Sequence, residues 1–394
     1  MNIVVLFMLV SYFFVRPSAL GQDYSTIGII SAILAFIIYF VFFSKRIKIN
    51  LISNKNIYVL LINNIFWIYL LGHSWINKSE GILFTLKAFI SNLVIIIIFF
   101  VLLNDKVINK KFFKALFNII KFSIISWIIT VVISIIIPLE SLYIFKLPLQ
   151  TYDSSGSIYF PFTILYGFMT VGSIKLPRLL SLFRESGIAQ MIFIWYIFNL
   201  ESYNLNTKFN KIILILGTVA TFSTSGIFIL FFIFALKYLI KNNNFKNYIM
   251  ALAISLFSIY ILFNAPYIGI KNKMITHGES ISIRMNMVIR GIDKFIDNPL
   301  GIGMYGDLAT ANSNINLIAS MYVIGIIGVI IYITIYIFPI RYMSKNEKIN
   351  YITSIMSIFI TGLLSQPLLD APGLYIHFFA NYENIGEKDE SINL

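Results

Sequence analysis

Two stretches of this chain carry the residues best suited to chemistry. Between Lys175 and Gly187 the sequence reads KLPRLLSLFRESG, so Arg178, Arg184 and Glu185 stand immediately before an apolar run. Two guanidiniums could hold an anion there, and a carboxylate could accept a proton from a sugar hydroxyl. The other stretch is the longest hydrophilic one, residues 264–314, which contains His277, Arg284, Arg290, Asn312 and Asn314. Arg284 and Arg290 are interleaved with Ile283, Met287, Ile289, Ile292 and Phe295. That spacing predicts an amphipathic helix ending near Asn298-Pro299. Arginine stays charged and offers a planar fork of donors that matches a diphosphate. His277 has the titration range for proton transfer, and the asparagines offer neutral hydrogen bonds to sugar hydroxyls. Gly301, Gly303 and Gly306 permit a tight turn or a close backbone approach to a ligand. Each residue also has a plainer reading. Arginines beside a membrane snorkel to lipid phosphates, Glu185 pairs with Arg184 or Arg178, and Asn312 caps a helix.

The elements that must position these residues are helices in lipid. Of 394 residues, 58% are apolar and only 12% charged, about half the charged share of a soluble domain. A polar surface could not cover so much apolar material. Apolar runs recur at Met1 to Val15, Ser25 to Phe43, Ile57 to Leu71, Ile82 to Leu103 and Leu116 to Ile137. Further runs are Gly187 to Leu200, Lys211 to Ile240, Tyr248 to Phe263, Ile315 to Phe338 and Ile349 to Leu364. A backbone crossing lipid must satisfy its own hydrogen bonds, so these runs predict helices. The expected fold is all-α: a polytopic membrane bundle of about eleven or twelve helices with one large extracytoplasmic loop. Residues 1–380 form a single domain in this reading, followed by a short polar tail, 381–394. With no Cys and three scattered His, neither a metal nor a thiolate site is expected. The net charge of +13 is spread over short loops instead of forming a footprint, which argues against nucleic acid.

Charge also orients the chain. Lys45, Arg46, Lys48 and Lys55 form one cluster, Lys106, Lys110, Lys111 and Lys114 a second, and Arg341, Lys345 and Lys348 a third. All are expected in the cytoplasm. Leu139 to Ser157 and the 264–314 loop then lie outside. Phe160 to Ile174 leaves two drawings open. If it spans, Arg178 and Arg184 are cytoplasmic; if it does not, they stay outside and Lys208 and Lys211 face the cytoplasm. Lys211 to Ile240, drawn as one helix, covers about 45 Å. Divided at Ser223-Thr224-Ser225-Gly226, it makes two short passages.

Several of these features occur in one order: Arg178 to Gly187, the Thr218/Thr221-Ser223-Ser225-Gly226 junction, Arg284 before Arg290, Asn298-Pro299-Leu300-Gly301-Ile302-Gly303, and Gly325-Ile326-Ile327-Gly328. In this the chain, over roughly Phe160 to Phe338, resembles the O-antigen/capsular polysaccharide polymerases, which are related to the O-antigen ligases. The resemblance implies a glycosyltransferase of the bacterial cytoplasmic membrane. Such an enzyme moves a growing glycan from one undecaprenyl-diphosphate carrier to a sugar hydroxyl on another carrier-linked repeat, for capsule, O-antigen or exopolysaccharide. It implies that Arg284 engages the donor diphosphate and that Arg178 belongs to an external motif, which favours the non-spanning drawing and the split at Ser223. Partners on this reading are undecaprenyl-diphosphate-linked glycans, membrane lipids, a flippase and a chain-length regulator. Members of the class commonly carry a histidine before the Gly-x-x-Gly run, where this chain has Asn312 and Asn314. The general base is then Glu185, His277 or none. Because the donor is activated by its diphosphate, no cofactor is called for. The competing readings are a lipid-linked oligosaccharide flippase and a non-catalytic component of the assembly machinery.

Overall fold

A computed structural model of the chain describes residues 1–43, 53–147, 149, 156–165, 167–171, 174–241, 244–265, 269–276, 278–305, 316–365 and 369–383. The first helices are α1 (Asn2–Phe13), α2 (Ser25–Phe43), α3 (Asn54–Ile76), α4 (Ile82–Leu103) and α5 (Lys106–Ser134). Five short strands follow: β1 (Tyr143–Lys146), β2 (Ser157–Tyr159), β3 (Thr163–Leu165), β4 (Phe168–Val171) and β5 (Ile174–Pro177). The chain continues through α6 (Ser186–Asn199), α7 (Lys208–Ala220), α8 (Thr224–Lys241) and α9 (Phe245–Asn264). It ends with α10 (Ile270–Thr276), α11 (Gly278–Asp297), α12 (Leu317–Ile337), α13 (Lys345–Leu364) and α14 (Pro372–Tyr375). The all-α bundle expected from the sequence is the architecture found. Among the described residues six helices are long and apolar enough to cross a membrane, α2, α3, α4, α5, α9 and the helix beginning at Leu317, which makes this a multi-pass membrane protein. Phe42, Leu83 and Ile330 are among the large apolar side chains left on its exterior, as lipid would require.

Short helices decide the shape of the interior. α1, α6 and α7 have 12, 14 and 13 residues, or about 18–21 Å of helix against a hydrocarbon core of about 30 Å. Every residue of α6 is buried, so this helix is the hub, packed by α7, α8 and α13. Its composition explains the placement, since Ile, Phe, Trp and Met on all sides leave no polar face to turn outward.

The disputed region crosses nothing. Phe160 to Ile174 falls in β structure: β1, β2 and β3 form an antiparallel sheet with Tyr159 opposite both Tyr143 and Thr163, and β4 pairs with β5. The sheet is pinned to α5, whose Thr130 hydroxyl donates to the Phe160 carbonyl (2.7 Å) while the Phe162 amide donates to the Ser126 hydroxyl (3.0 Å). Lys211 to Ile240 divides into α7 and α8, with Phe222 at the break in a left-handed conformation (φ 48°). Arg178 and Arg184 lie on the segment whose Ser181 meets Ser123 of α5 (2.7 Å), well away from the Lys106 end of that helix.

A further passage is too short for a hydropathy window. From α14 the chain runs through a 3-10 turn, Ile376–Phe379, from the level of Arg16 toward the lysine end of the bundle. At one end the Gly373 amide donates to the Arg16 carbonyl (2.9 Å). At the other, Lys55 Nζ donates to the Ala380 carbonyl (2.8 Å), Asn109 to the Phe379 carbonyl (2.9 Å) and Asn350 to the Tyr382 carbonyl (3.0 Å). Asn381 and Tyr382, expected to begin the polar tail, are instead tied down, with the Asn381 amide on Tyr203 Oη (2.9 Å) and Tyr382 fully buried. Two polar contacts to each buried ring explain this: Tyr382 Oη donates to the His377 carbonyl (2.6 Å) and accepts from Trp195 Nε1 (3.2 Å). Residues 384–394 lie outside the described residues, as do Lys45, Arg46 and Lys48.

The lysine end should face the cytoplasm. Because the chain has no cysteine, single cysteines report this cleanly. In intact cells a membrane-impermeant maleimide is expected to label Glu140→Cys and to spare Lys106→Cys, both of which replace exposed side chains. The reverse pattern would put the arginines in the cytoplasm.

Candidate functional site

The ends of the short helices meet and form a polar floor inside the bundle. Ser18, after α1, opposes Phe183 in an isolated antiparallel bridge. The Ala19 amide donates to the Leu182 carbonyl (3.0 Å) and the Arg184 amide to the Pro17 carbonyl (3.2 Å). The Leu179 amide donates to the Ala220 carbonyl at the end of α7 (3.0 Å). Arg178 ties the pieces together. Its Nη2 donates to the Ser186 hydroxyl at the start of α6 (2.6 Å) and its Nε to the Thr221 carbonyl (3.2 Å). Arg184 Nη1 donates to Gln22 Oε1 (3.3 Å). Glu185 occupies the N-cap position of α6, but its side chain does not cap the helix. One turn deeper, Gln190 donates to the Ser225 hydroxyl at the start of α8 (3.1 Å). A side chain on Gly226 would run into Gln190, so that helix can begin this close to α6 only with glycine there. The N-termini of α6 and α8 both point at this level, where the first-turn amides and helix dipoles favour negative charge.

Beside it lies a cluster that the sequence did not bring to notice. Arg16 forms an ion pair with Asp370 (2.6 Å), Tyr305 Oη donates to the same carboxylate oxygen (2.9 Å), and Asn92 Nδ2 donates to the other (3.3 Å). Arg16 and Asp370 keep 38% and 18% of their side-chain surface accessible, so the pair is neither sealed nor on the outer surface. Burial weakens the charge on Arg16, but Asp370 and then Tyr305 outweigh that and raise its pKa. Burial first and the Asp370 charge second push the Tyr305 phenol above its ordinary range, so it remains a donor.

Two helices measure the depth of the floor. Asn92 is ten residues into α4, about 15 Å along the axis, and Ser123, bonded to Ser181 (2.7 Å), is eleven residues from the end of α5, about 16 Å. The charges therefore sit near the middle of a helix about 33 Å long. A charged pair at that depth is costly and rarely without function. Below the floor the bundle is closed by buried rings, among them Tyr12, Trp195, His377 and Tyr351, with Tyr12 Oη bonded to His377 Nε2 (2.9 Å).

Arg178, Arg184 and Glu185 are thus brought together. Of the remaining expected residues, Arg290 has a described side chain. His277, Asn312 and Asn314 lie outside the described residues, and so does the side chain of Arg284, whose backbone is part of α11. The amphipathic helix expected here is α11, ending at Asp297. Arg290 is exposed on it and, among the described residues, makes no hydrogen bond or ion pair with the floor. α11 packs on α12 through Gly291, and Lys294 Nζ lies 5.0 Å from the centre of the Tyr322 ring. The glycines after Pro299 approach protein backbone, not an open cradle. The Ile302 and Gly303 amides donate to the Tyr322 and Val323 carbonyls (both 3.0 Å), and the Ile326 amide donates to the Pro299 carbonyl (2.9 Å). These bonds bridge a break in α12 at Gly325 (φ 67°, ψ 173°). The residue that caps α12 is Asn316, whose side-chain oxygen accepts from the Ala319 amide (2.8 Å).

Sequence reasoning missed Arg16, Asp370, Tyr305 and Asn92. Arg16 looked like an isolated loop charge, yet it follows an apolar run too short to span, and Asp370 is an unaccompanied acid between Leu369 and the final apolar residues. Those two signals were available; the partnership was not, because the pair is separated by 354 residues. No protein-family model, curated protein or solved structure matches this chain.

Chemically, the floor offers fixed cations and two helix N-termini for an anion, next to a paired carboxylate for a hydroxyl.

Proposed function

We propose that this protein polymerises undecaprenyl-diphosphate-linked oligosaccharide repeat units at the outer face of the bacterial cytoplasmic membrane. The observation that carries the reading is the recessed floor, in which Arg178 and Arg184 meet the start of α6 inside an otherwise apolar bundle. A diphosphate on a membrane carrier needs fixed donors that cost no reorganisation when charge develops. Arg178 holds the α6 start and the α7 end in one grip, so its guanidinium is already oriented. In this mechanism an acceptor sugar hydroxyl attacks C1 of the donor glycan while the C1–O bond to the diphosphate breaks. Arg178, Arg184 and the α6 and α8 N-termini hold the departing diphosphate. Arg284 and Arg290 on the large loop are expected to contribute to donor binding, and Asn312, Asn314 and His277 to substrate binding. Donor activation by diphosphate leaves no role for a metal or nucleotide. A flippase supplies the repeats from the inner leaflet, and a chain-length regulator is the expected companion.

The closed aromatic packing beneath the floor favours this one-sided reaction over passage through the bundle. Cells lacking the protein are expected to accumulate a single repeat unit on the carrier in the outer leaflet. Accumulation in the inner leaflet would replace this proposal with the transporter reading.

A further inference from the structure

We infer that Asp370, held by Arg16, Tyr305 and Asn92, is the catalytic carboxylate that receives the acceptor hydroxyl and takes its proton; this rests on the polymerase reading above. Glu185 had been the acid expected for that task. Its place between Arg184 and Ser186, at the start of α6, puts it on the diphosphate side, where its charge opposes the departing anion. Asp370 stands on the other side of the same junction. The Arg184 amide bonds the Pro17 carbonyl, and Pro17 follows Arg16, so one backbone contact separates the diphosphate-binding arginines from the Arg16–Asp370 pair. Donor and acceptor groups are thereby assigned to adjoining halves of one floor.

The way Asp370 is held suits a base. Arg16 offsets the cost of holding a carboxylate at this depth. Oδ2 is occupied by Arg16 and Tyr305, whereas among the described residues Oδ1 has the 3.3 Å contact with Asn92, which leaves it capacity for a hydroxyl. The titratable groups facing Asp370 are Arg16 from the α1–α2 connection, Tyr305 from the segment after α11, and Tyr375 of α14, whose Oη donates to the Leu369 carbonyl (3.2 Å). In the step itself the acceptor O–H proton passes to Asp370 Oδ1 as the new C1–O bond forms. The old C1–O bond breaks, and its electron pair leaves with the carrier diphosphate. Water then removes the proton from Asp370.

The test uses full-length protein reconstituted in lipid discs, with undecaprenyl diphosphate as binding probe and a carrier-linked repeat as substrate. Asp370→Asn is expected to bind the probe within about twofold of the wild type and to lower transfer by roughly 100-fold or more. Tyr305→Phe keeps the ring beside Phe84 and removes one hydrogen bond to the carboxylate. It is expected to lower transfer by about tenfold while probe binding stays within about twofold of the wild type. Normal transfer by Asp370→Asn would overturn the inference. So would parallel loss of probe binding and thermal stability in both variants, since that describes a structural anchor. Wild-type protein that binds the probe and transfers nothing would overturn the polymerase reading itself, an outcome distinct from either.

Discussion

Replacing Arg178 with alanine is expected to cut polymer extension by about 10²–10³-fold while correctly inserted protein stays abundant. The guanidinium makes two bonds at once, to Ser186 and to Thr221, so the loss has two sources. One is the fixed charge for the diphosphate. The other is the orientation of the α6 start against the α7 end, worth about 1.5–3 kcal/mol for a hydrogen bond to a charged group. Arg178→Lys separates them. It retains the charge and loses the fork, so it is expected to fall between alanine and the wild type. Gel analysis of the carrier-linked glycan, with membrane abundance measured in parallel, reads both variants. Near-normal polymer from Arg178→Ala would remove this residue from the site.

Gly325→Ala should be strongly destabilising. Gly325 has a positive φ (67°), and an added Cβ would collide with the Leu300 carbonyl. To escape, the 298–303 segment must leave α12 and give up the bonds from Ile302 and Gly303 to Tyr322 and Val323. Backbone strain and two lost hydrogen bonds together come to on the order of 3 kcal/mol. The same movement carries Tyr305 away from Asp370. Gly328→Ala, in the same Gly-x-x-Gly run, is the comparison. Its Cβ would meet the side chains of Ile324 and Tyr69, which can shift. A thermal unfolding series in detergent should rank wild type above Gly328→Ala and both well above Gly325→Ala. Equal midpoints for the two alanine variants would show that the α12 break is not the stress point described here.

How much of this could be read beforehand depended on the range of the interaction. Long apolar runs announced α2, α4 and α5 because a helix in lipid satisfies itself locally. The amphipathic spacing around Arg284 and Arg290 announced α11 and its end at Asp297 for the same reason. Phe160 to Ile174 was ambiguous because short β pairs and short membrane passages are both apolar, and the pairing of Tyr159 with Tyr143 and Thr163 is visible only in space. The passage at Pro372–Tyr375 and Ile376–Phe379 was invisible because one short helix and a 3-10 turn reaching part-way through the bundle leave no long apolar run. Half of the candidate site was legible, since Arg178, Arg184 and Glu185 are close in sequence. The other half was not, because Arg16, Asn92, Tyr305 and Asp370 come from four distant parts of the chain and none belongs to a local motif. The glycines at 301 and 303, read as allowing a tight turn or the approach of a ligand, are approached by Gly325 of α12 and by Ser74 of α3 respectively.

The most direct measurement is the product distribution formed by purified protein in lipid discs supplied with one species of undecaprenyl-diphosphate-linked repeat and no nucleotide sugar. A ladder of products, each longer by one repeat, with release of undecaprenyl diphosphate in step, is the predicted result. Single repeats that remain unextended by protein shown to bind the carrier would contradict it.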